Sequence, residues 1–214
     1  MYLSLDQSTS STTIFLYNKK FKLISKLSKS HKQIQKSRGH VEHDANEIMK
    51  NIFFLVKKIS KKIKYDKDLF LSITNQRETF VIFDKKSGKP LHNAIVWQCR
   101  RGQKVCDKIN KSVKNKNLIK KKTGLTLDTY FPASKLIELI NSNKKIKDKL
   151  KNGSALFGTI DTFLIYQLTN QKIYSTDYTN ASRTLLFNNS SLVWSTDLLK
   201  LFKLNLHSLP DVKE

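Results

Sequence analysis

Four short segments carry residue types that can bind or transform a ligand. The first is Asp6-Gln7-Ser8-Thr9-Ser10-Ser11. A carboxylate at a strand end can hold a hydrated Mg²⁺, and a turn of small hydroxyl residues offers N–H and O–H donors to phosphate oxygens. An ordinary hairpin turn has the same composition. The second is Thr74-Asn75-Gln76-Arg77-Glu78-Thr79. Arg77 can donate to hydroxyls and Glu78 can accept from them, which suits a small neutral polyol. A surface ion pair, which contributes little, reads the same way. The third is Ala94-Ile95-Val96-Trp97-Gln98-Cys99-Arg100-Arg101. Trp97 can lay an apolar face on a carbon skeleton while its indole N–H donates, or it can simply close a core at a strand end. The fourth, Gly124 to Phe131, holds Tyr130 in a loop from which a hydroxyl can enter a pocket.

Two further groups point away from chemistry. His40 and His43 flank Val41-Glu42 ahead of Asp44, but with no third His or Cys nearby this spacing does not make a metal centre. Cys99 and Cys106 would lie two turns apart on a helix, about 10 Å along its axis, too far for a disulfide. They form no CxxC motif and fit a reducing, cytoplasmic setting.

These segments need elements to hold them. Tyr2–Asp6, Thr12–Tyr17 and Lys22–Lys29 read as a β-meander whose first turn is all hydroxyl and amide. Asp44 is placed to cap a helix, with Glu47 as its capping-box partner. Ile48, Ile52, Leu55, Val56, Ile59 and Ile63 then recur at helical spacing. Leu69–Ile73 reads as a buried-type strand, and Phe80–Phe83 and Asn93–Trp97 as two more. Helical patterns follow over about 100–114, 132–141 and 144–151, with Gly153 at a C-cap. Leu156–Gly158 is a short strand, Ile160–Leu168 a helix, and Lys172–Phe187 two strands around a loop. Thr196 caps a last helix through Phe202, and the chain stops without a closing element. Strands first, with helices interleaved, predict an α/β domain with a mixed sheet.

With 214 residues, 39% of them apolar and 10% aromatic, the chain is long enough for one folded domain with a real core. Its formal net charge is +23. Charge alone suggests nucleic acid, yet the lysines are spread along the chain in runs such as Lys57-Lys58, Lys61-Lys62-Lys64, Lys120-Lys121-Lys122 and Lys144-Lys145-Lys147. No RNA-binding signature accompanies them, so they read as solvated faces. No stretch has the length and apolarity of a signal peptide or membrane span, and Met1 leads straight into a strand.

Together the stretches LDQSTSSTT, GHVEHDANEIMKN, ITNQRETFVIFDKKSGKPLHNAIVWQCRR, KKTGLTLDTYF, LFGTIDTFLIYQLT and STDYTNASRTLLFN resemble the glycerol-kinase branch of the FGGY carbohydrate-kinase family. They come in the family's order and span nearly the whole chain. The segment NQRET followed by IVWQCRR separates that branch from the xylulose and gluconate kinases. The resemblance implies a ribonuclease-H-like, actin-like fold and transfer of the ATP γ-phosphoryl to a terminal hydroxyl of glycerol. It implies that Arg77, Glu78 and Tyr130 bind the glycerol hydroxyls, that Trp97 packs on its carbons, and that Asp6, Thr9, Ser10 and Ser11 face the phosphate and Mg²⁺.

Three departures qualify it. On size, residues 1–214 match an N-terminal, substrate-binding domain lacking its last element; the family's base Asp and its ATP-binding domain lie beyond Glu214. The family's phosphate hairpin reads DQGTTSSR, whereas here Ser8 stands for Gly and Thr13 for Arg. The first limits close backbone approach and the second removes a bidentate phosphate donor. The chain alone is therefore expected to be inactive, as a fragment, as half of a split enzyme completed by a separate C-terminal half or a second copy, or as a remnant. The alternative from another class is a non-enzymatic module binding a polyol or a polyanion.

Overall fold

The computed structural model describes residues 1–63 and 68–214, so Lys64 of the lysine runs lies outside the described residues. The chain divides into two compact units, Met1–Ile34 with His43–Gln76, and Gln35–Glu42 with Arg77–Glu214. In chain order the elements begin β1 (Tyr2–Gln7), β2 (Ser11–Tyr17), β3 (Leu23–Ser30), β4 (Gln33–Ser37), β5 (His40–His43), α1 (Ala45–Ser60), β6 (Phe70–Asn75), β7 (Phe80–Asp84) and β8 (Ala94–Ile95). There follow α2 (Gln103–Asn110), α3 (Val113–Thr123), α4 (Pro132–Ser142), α5 (Lys144–Lys151), β9 (Ala155–Thr159) and α6 (Ile160–Leu168). The last are β10 (Ser175–Asp177), α7 (Tyr178–Ala181), β11 (Phe187–Asn188), β12 (Val193–Trp194), α8 (Thr196–Leu201) and β13 (Asp211–Lys213).

The first unit is built on a mixed sheet of order β3-β2-β1-β6, antiparallel except for the parallel pair β1–β6. Burial alternates along β1 and β2, which turn Leu3, Leu5, Ile14 and Leu16 inward, as a half-covered sheet requires. Helix α1 covers β2 and β3 with Ile48, Ile52, Leu55 and Ile59, the face read from the sequence. Asp44 caps it by accepting from the Asn46 N–H. Glu47 does not complete a capping box; its carboxylate accepts from the Lys32 N–H at 3.3 Å instead. The helix ends at Ser60, short of Ile63. Strand β6 is not the buried type expected: it stands at the edge of this sheet, with Phe70 60% and Leu71 47% exposed.

The second unit carries a five-stranded sheet of order β4-β5-β8-β7-β9, with β7 antiparallel to both neighbours. Strand β7 is buried along its first four residues, with Phe83 against Phe163 of α6 at 5.4 Å. The opposite face builds a core with Phe80, Ile82, Phe157, Leu136 and Ile140.

Several boundaries differ from the sequence reading. The helix expected over 100–114 is two: Ser112 accepts from the Asn115 N–H and starts α3 afresh. Cys99 accordingly precedes α2 and Cys106 lies within it, both free and buried. The strand over 93–97 shrinks to β8, and 172–187 holds β10, the short α7 and the start of β11. Ser195, not Thr196, caps α8. Asp211–Lys213, read as irregular from the sequence, form strand β13, parallel to β10. Gly153 takes φ 78° just past α5, as its position predicted. The lysines at 57, 58, 120, 121, 144, 145 and 147 are exposed. No helix among the described residues is long and apolar enough to cross a membrane.

Candidate functional site

Glu78 sits in the turn before β7, 3% exposed and at φ 61°. A left-handed conformation at a non-glycine residue is held only where its surroundings over-determine it. Here they do. The Glu78 carboxylate accepts from Arg183 Nε at 2.5 Å, and Thr79 beside it is fully buried, its hydroxyl accepting from the Trp97 N–H at 3.2 Å. The ion pair is therefore not with neighbouring Arg77, which is exposed.

Arg183 links the sequence segments together. Its guanidinium lies 5.8 Å from the Tyr130 ring centre and 5.0 Å from that of Phe131. The Tyr130 ring is in turn 5.5 Å from the Trp97 ring. Glu78, Tyr130 and Trp97 thus come together around a residue that the sequence reading did not single out. Arg183 is 30% exposed and Glu78 3%, so removing Arg183 would leave a buried carboxylate without its cation.

The segment after Trp97 is tied down by Glu42 at the end of the β5 pairing. This carboxylate, 2% exposed, accepts from Arg101 Nη2 at 2.5 Å and Asn93 Nδ2 at 2.9 Å, with Lys36 Nζ at 3.3 Å. Burial opposes its ionisation, but the bonds from Arg101 and Asn93 prevail and hold it at about 2. Trp97, Gln98, Arg100, Asp128, Thr129 and Tyr130 line an open hollow of about 320 Å³. A larger hollow, about 570 Å³, has Val105, Ile109, Ile137 and Phe202 in its wall and contains none of the four motif segments.

In the first unit, the Asp6 segment forms the β1–β2 hairpin. The Ser8 N–H donates to the Ser11 carbonyl at 2.9 Å, the His31 N–H to that of Ser10 at 3.2 Å, and His31 Nε2 to that of Thr9 at 2.9 Å. Three successive carbonyls, those of Thr9, Ser10 and Ser11, are thus engaged. Small hydroxyl residues in such a turn are the residue types that suit an anionic oxygen. Ser8 needs no positive φ, and its hydroxyl donates to Asp6 Oδ1 at 2.7 Å. Thr13, where an arginine was expected, bonds the Ser28 hydroxyl across the strand pair at 2.9 Å.

Behind the hairpin runs a buried chain that the sequence reading also missed. Gln76 Nε2 donates to Gln7 Oε1 at 3.1 Å and to His43 Nδ1 at 3.2 Å, while Gln7 Nε2 donates to the Ser8 carbonyl at 2.9 Å. His43 accepts at Nδ1, so its proton is on Nε2, a buried atom with no hydrogen-bond partner. Burial, with His31 beside it at 4.6 Å, pulls His43 down to about 4. Burial also lowers His31. Among the described residues no cluster of His, Cys, Asp and Glu could hold a metal ion.

Comparison with known proteins adds the lineage. The model of the FGGY family of carbohydrate kinases, N-terminal domain, matches residues 1–214. Glycerol kinase 1 of Thermotoga maritima is 42% identical over 214 residues, covering 99% of this chain and 43% of that protein. The glycerol kinase of Pseudothermotoga lettingae is 42% identical, covering 98% and 42%. The crystal structure of Plasmodium falciparum glycerol kinase with ADP superposes with a TM-score of 0.91 at 40% identity, over 99% of this chain and 42% of that one. A gluconate kinase from Lactobacillus acidophilus shares the fold, with a TM-score of 0.87 at 23% identity. The architecture is thus the ribonuclease-H-like, actin-like fold of these kinases. The chain spans about 43% of the length of the curated relatives it matches.

Proposed function

The chain belongs to the FGGY family of carbohydrate kinases, and on that footing we propose that it supplies the substrate-binding domain of a glycerol kinase. The reaction is transfer of the ATP γ-phosphoryl to a terminal hydroxyl of glycerol, giving sn-glycerol 3-phosphate. Arg77 donates to the glycerol hydroxyls, Glu78 accepts from them, Tyr130 adds its own hydroxyl, and Trp97 packs on the carbons. Asp6, Thr9, Ser10 and Ser11 face the phosphate chain, and Asp6 is the residue that would hold a hydrated Mg²⁺, which when bound would supply charge neutralisation at the phosphate oxygens.

On this reading the general base and the ATP-binding domain lie outside residues 1–214, which match 43% of the relative's length. No catalytic residue is assigned within residues 1–214. The remainder is supplied by the same polypeptide, by a separate C-terminal half or within a homo-oligomer. The setting is cytoplasmic, and the partners are glycerol and ATP, not a membrane or a nucleic acid.

The observation that carries this reading is Glu78: a carboxylate 3% exposed, at positive φ, fixed by Arg183 beside two aromatic rings. A buried, pre-positioned acceptor beside apolar ring faces suits a molecule that presents hydroxyls on a short carbon chain. The test is ATP-dependent formation of glycerol 3-phosphate by residues 1–214 fused to the remainder of Thermotoga maritima glycerol kinase 1. The fusion is expected to be active, Glu78→Gln in it to lose roughly 100-fold or more in kcat/KM, and the chain alone to make no product. A folded fusion unaffected by Glu78→Gln contradicts the assignment.

A further inference from the structure

Lys135 is 0% exposed and stands in the first turn of α4, the positive end of the helix dipole. A buried cation there is doubly disfavoured, and an aliphatic side chain of the same volume stabilises such a core at least as well. Its partners are three main-chain carbonyls: Tyr130 at 2.8 Å, Trp97 at 3.3 Å and Val96 at 3.3 Å. An ammonium has three N–H donors, so the match is complete. Two of the three acceptors belong to the residues whose rings lie 5.5 Å apart beside Arg183.

We propose that Lys135 is a positioning residue of the polyol site, its ammonium setting the spacing of the Trp97 and Tyr130 rings by binding both of their carbonyls. The proposal rests on the reading that those rings face glycerol. Lys135 touches no substrate in this scheme. It joins the strand end that carries Trp97 to the loop that carries Tyr130, 38 and 5 residues away in sequence. Burial pulls Lys135 down to about 7; Cys99, Glu78 and Asp128 act in the opposite direction, and Arg101 adds to the lowering. Cys106 of α2 also lies within electrostatic reach. Once deprotonated, the amine has two N–H donors for three carbonyls, and one carbonyl is released.

The experiment uses the whole chain with Trp194→Phe, which leaves Trp97 as the sole indole of the two in the sequence. Glycerol affinity and Trp97 emission are compared with and without Lys135→Met. The expected result is a dissociation constant raised roughly tenfold and a red-shifted Trp97 emission even without glycerol, since the Val96, Trp97 and Tyr130 carbonyls all lose their common donor. Unchanged affinity and emission in Lys135→Met, in a parent that binds glycerol, overturn the role of Lys135 alone. A folded parent that does not respond to glycerol overturns the polyol reading itself. Should Lys135→Met fail to fold, the parent's pH profile decides. Affinity and emission falling together as pH rises through neutrality support the proposal, and profiles flat from pH 6 to 9 overturn it.

Discussion

A carboxylate that is 3% exposed and paired with a guanidinium is a fixed acceptor, and Glu78 has that character through Arg183. Beneath the hairpin, His43 is fixed in the opposite sense, as a neutral imidazole. Its value in the fold is about 4 against an ordinary 6.5, so the unfolded chain takes up a proton first as pH falls. The stability due to neutral His43 is complete above 6.5 and is lost as pH falls through 4. Between pH 7 and pH 5 the loss is about 2 kcal/mol. Urea unfolding at the two pH values is expected to show it, and His43→Gln to remove most of the difference; an equal pH effect in both proteins rules His43 out. At this scale Glu78, Trp97 and Tyr130 could be picked out because each lies in a short segment with recognisable chemistry, and the structure brings these three, without Arg77, around Arg183. Arg183 and Lys135 could not be, since Glu78 is 105 residues from Arg183, Val96 and Trp97 are 39 and 38 from Lys135, and no local pattern encodes such pairings.

Elements with one buried face could be read from period alone. Helix α1 shows its apolar stripe and its cap, and β1 and β2 alternate as a half-covered sheet must. Helix α3 was missed because its sequence, VKNKNLIKKKT, is nearly all polar and has Ile119 as its one fully buried aliphatic. Strand β6 was misread because an apolar run says nothing about whether a strand is central or at an edge. One element contact depends on a missing side chain. A Cβ on Gly102, at the start of α2, would meet Ser134 of α4 at 2.4 Å from its Oγ and 2.7 Å from its main-chain carbon. Backbone cannot yield as a flexible side chain does, so Gly102→Ala must push α4 away from the segment that follows Trp97. It is expected to cost about 1–3 kcal/mol, read as a lower urea midpoint at unchanged slope. A midpoint equal to the parent's would show that α4 is not packed as described.

For the molecule as a whole, each unit holds its own share of the candidate site residues. The hydroxyl hairpin belongs to the first, and the Glu78–Arg183–Tyr130–Trp97 group to the second. The α/β class and mixed sheets were legible from strand-first order, while the division into two units was not. Nothing in the composition marks a linker, and the 35–42 segment returns to the second unit before α1 begins. The formal charge of +23 is carried largely by lysines, and those in the runs at 57–58, 120–121 and 144–147 are exposed. Whether the second unit binds a polyol is tested by thermal unfolding of the chain with and without high glycerol, beside Arg77→Ala. Glycerol stabilises folded proteins generally by exclusion, so the informative quantity is the difference between the two proteins. Arg77 is exposed, so its removal should leave the fold intact. Ligand bound only by the folded state raises the midpoint by mass action. A larger rise in the parent than in Arg77→Ala is the result expected of a formed glycerol site; identical rises in both would contradict it.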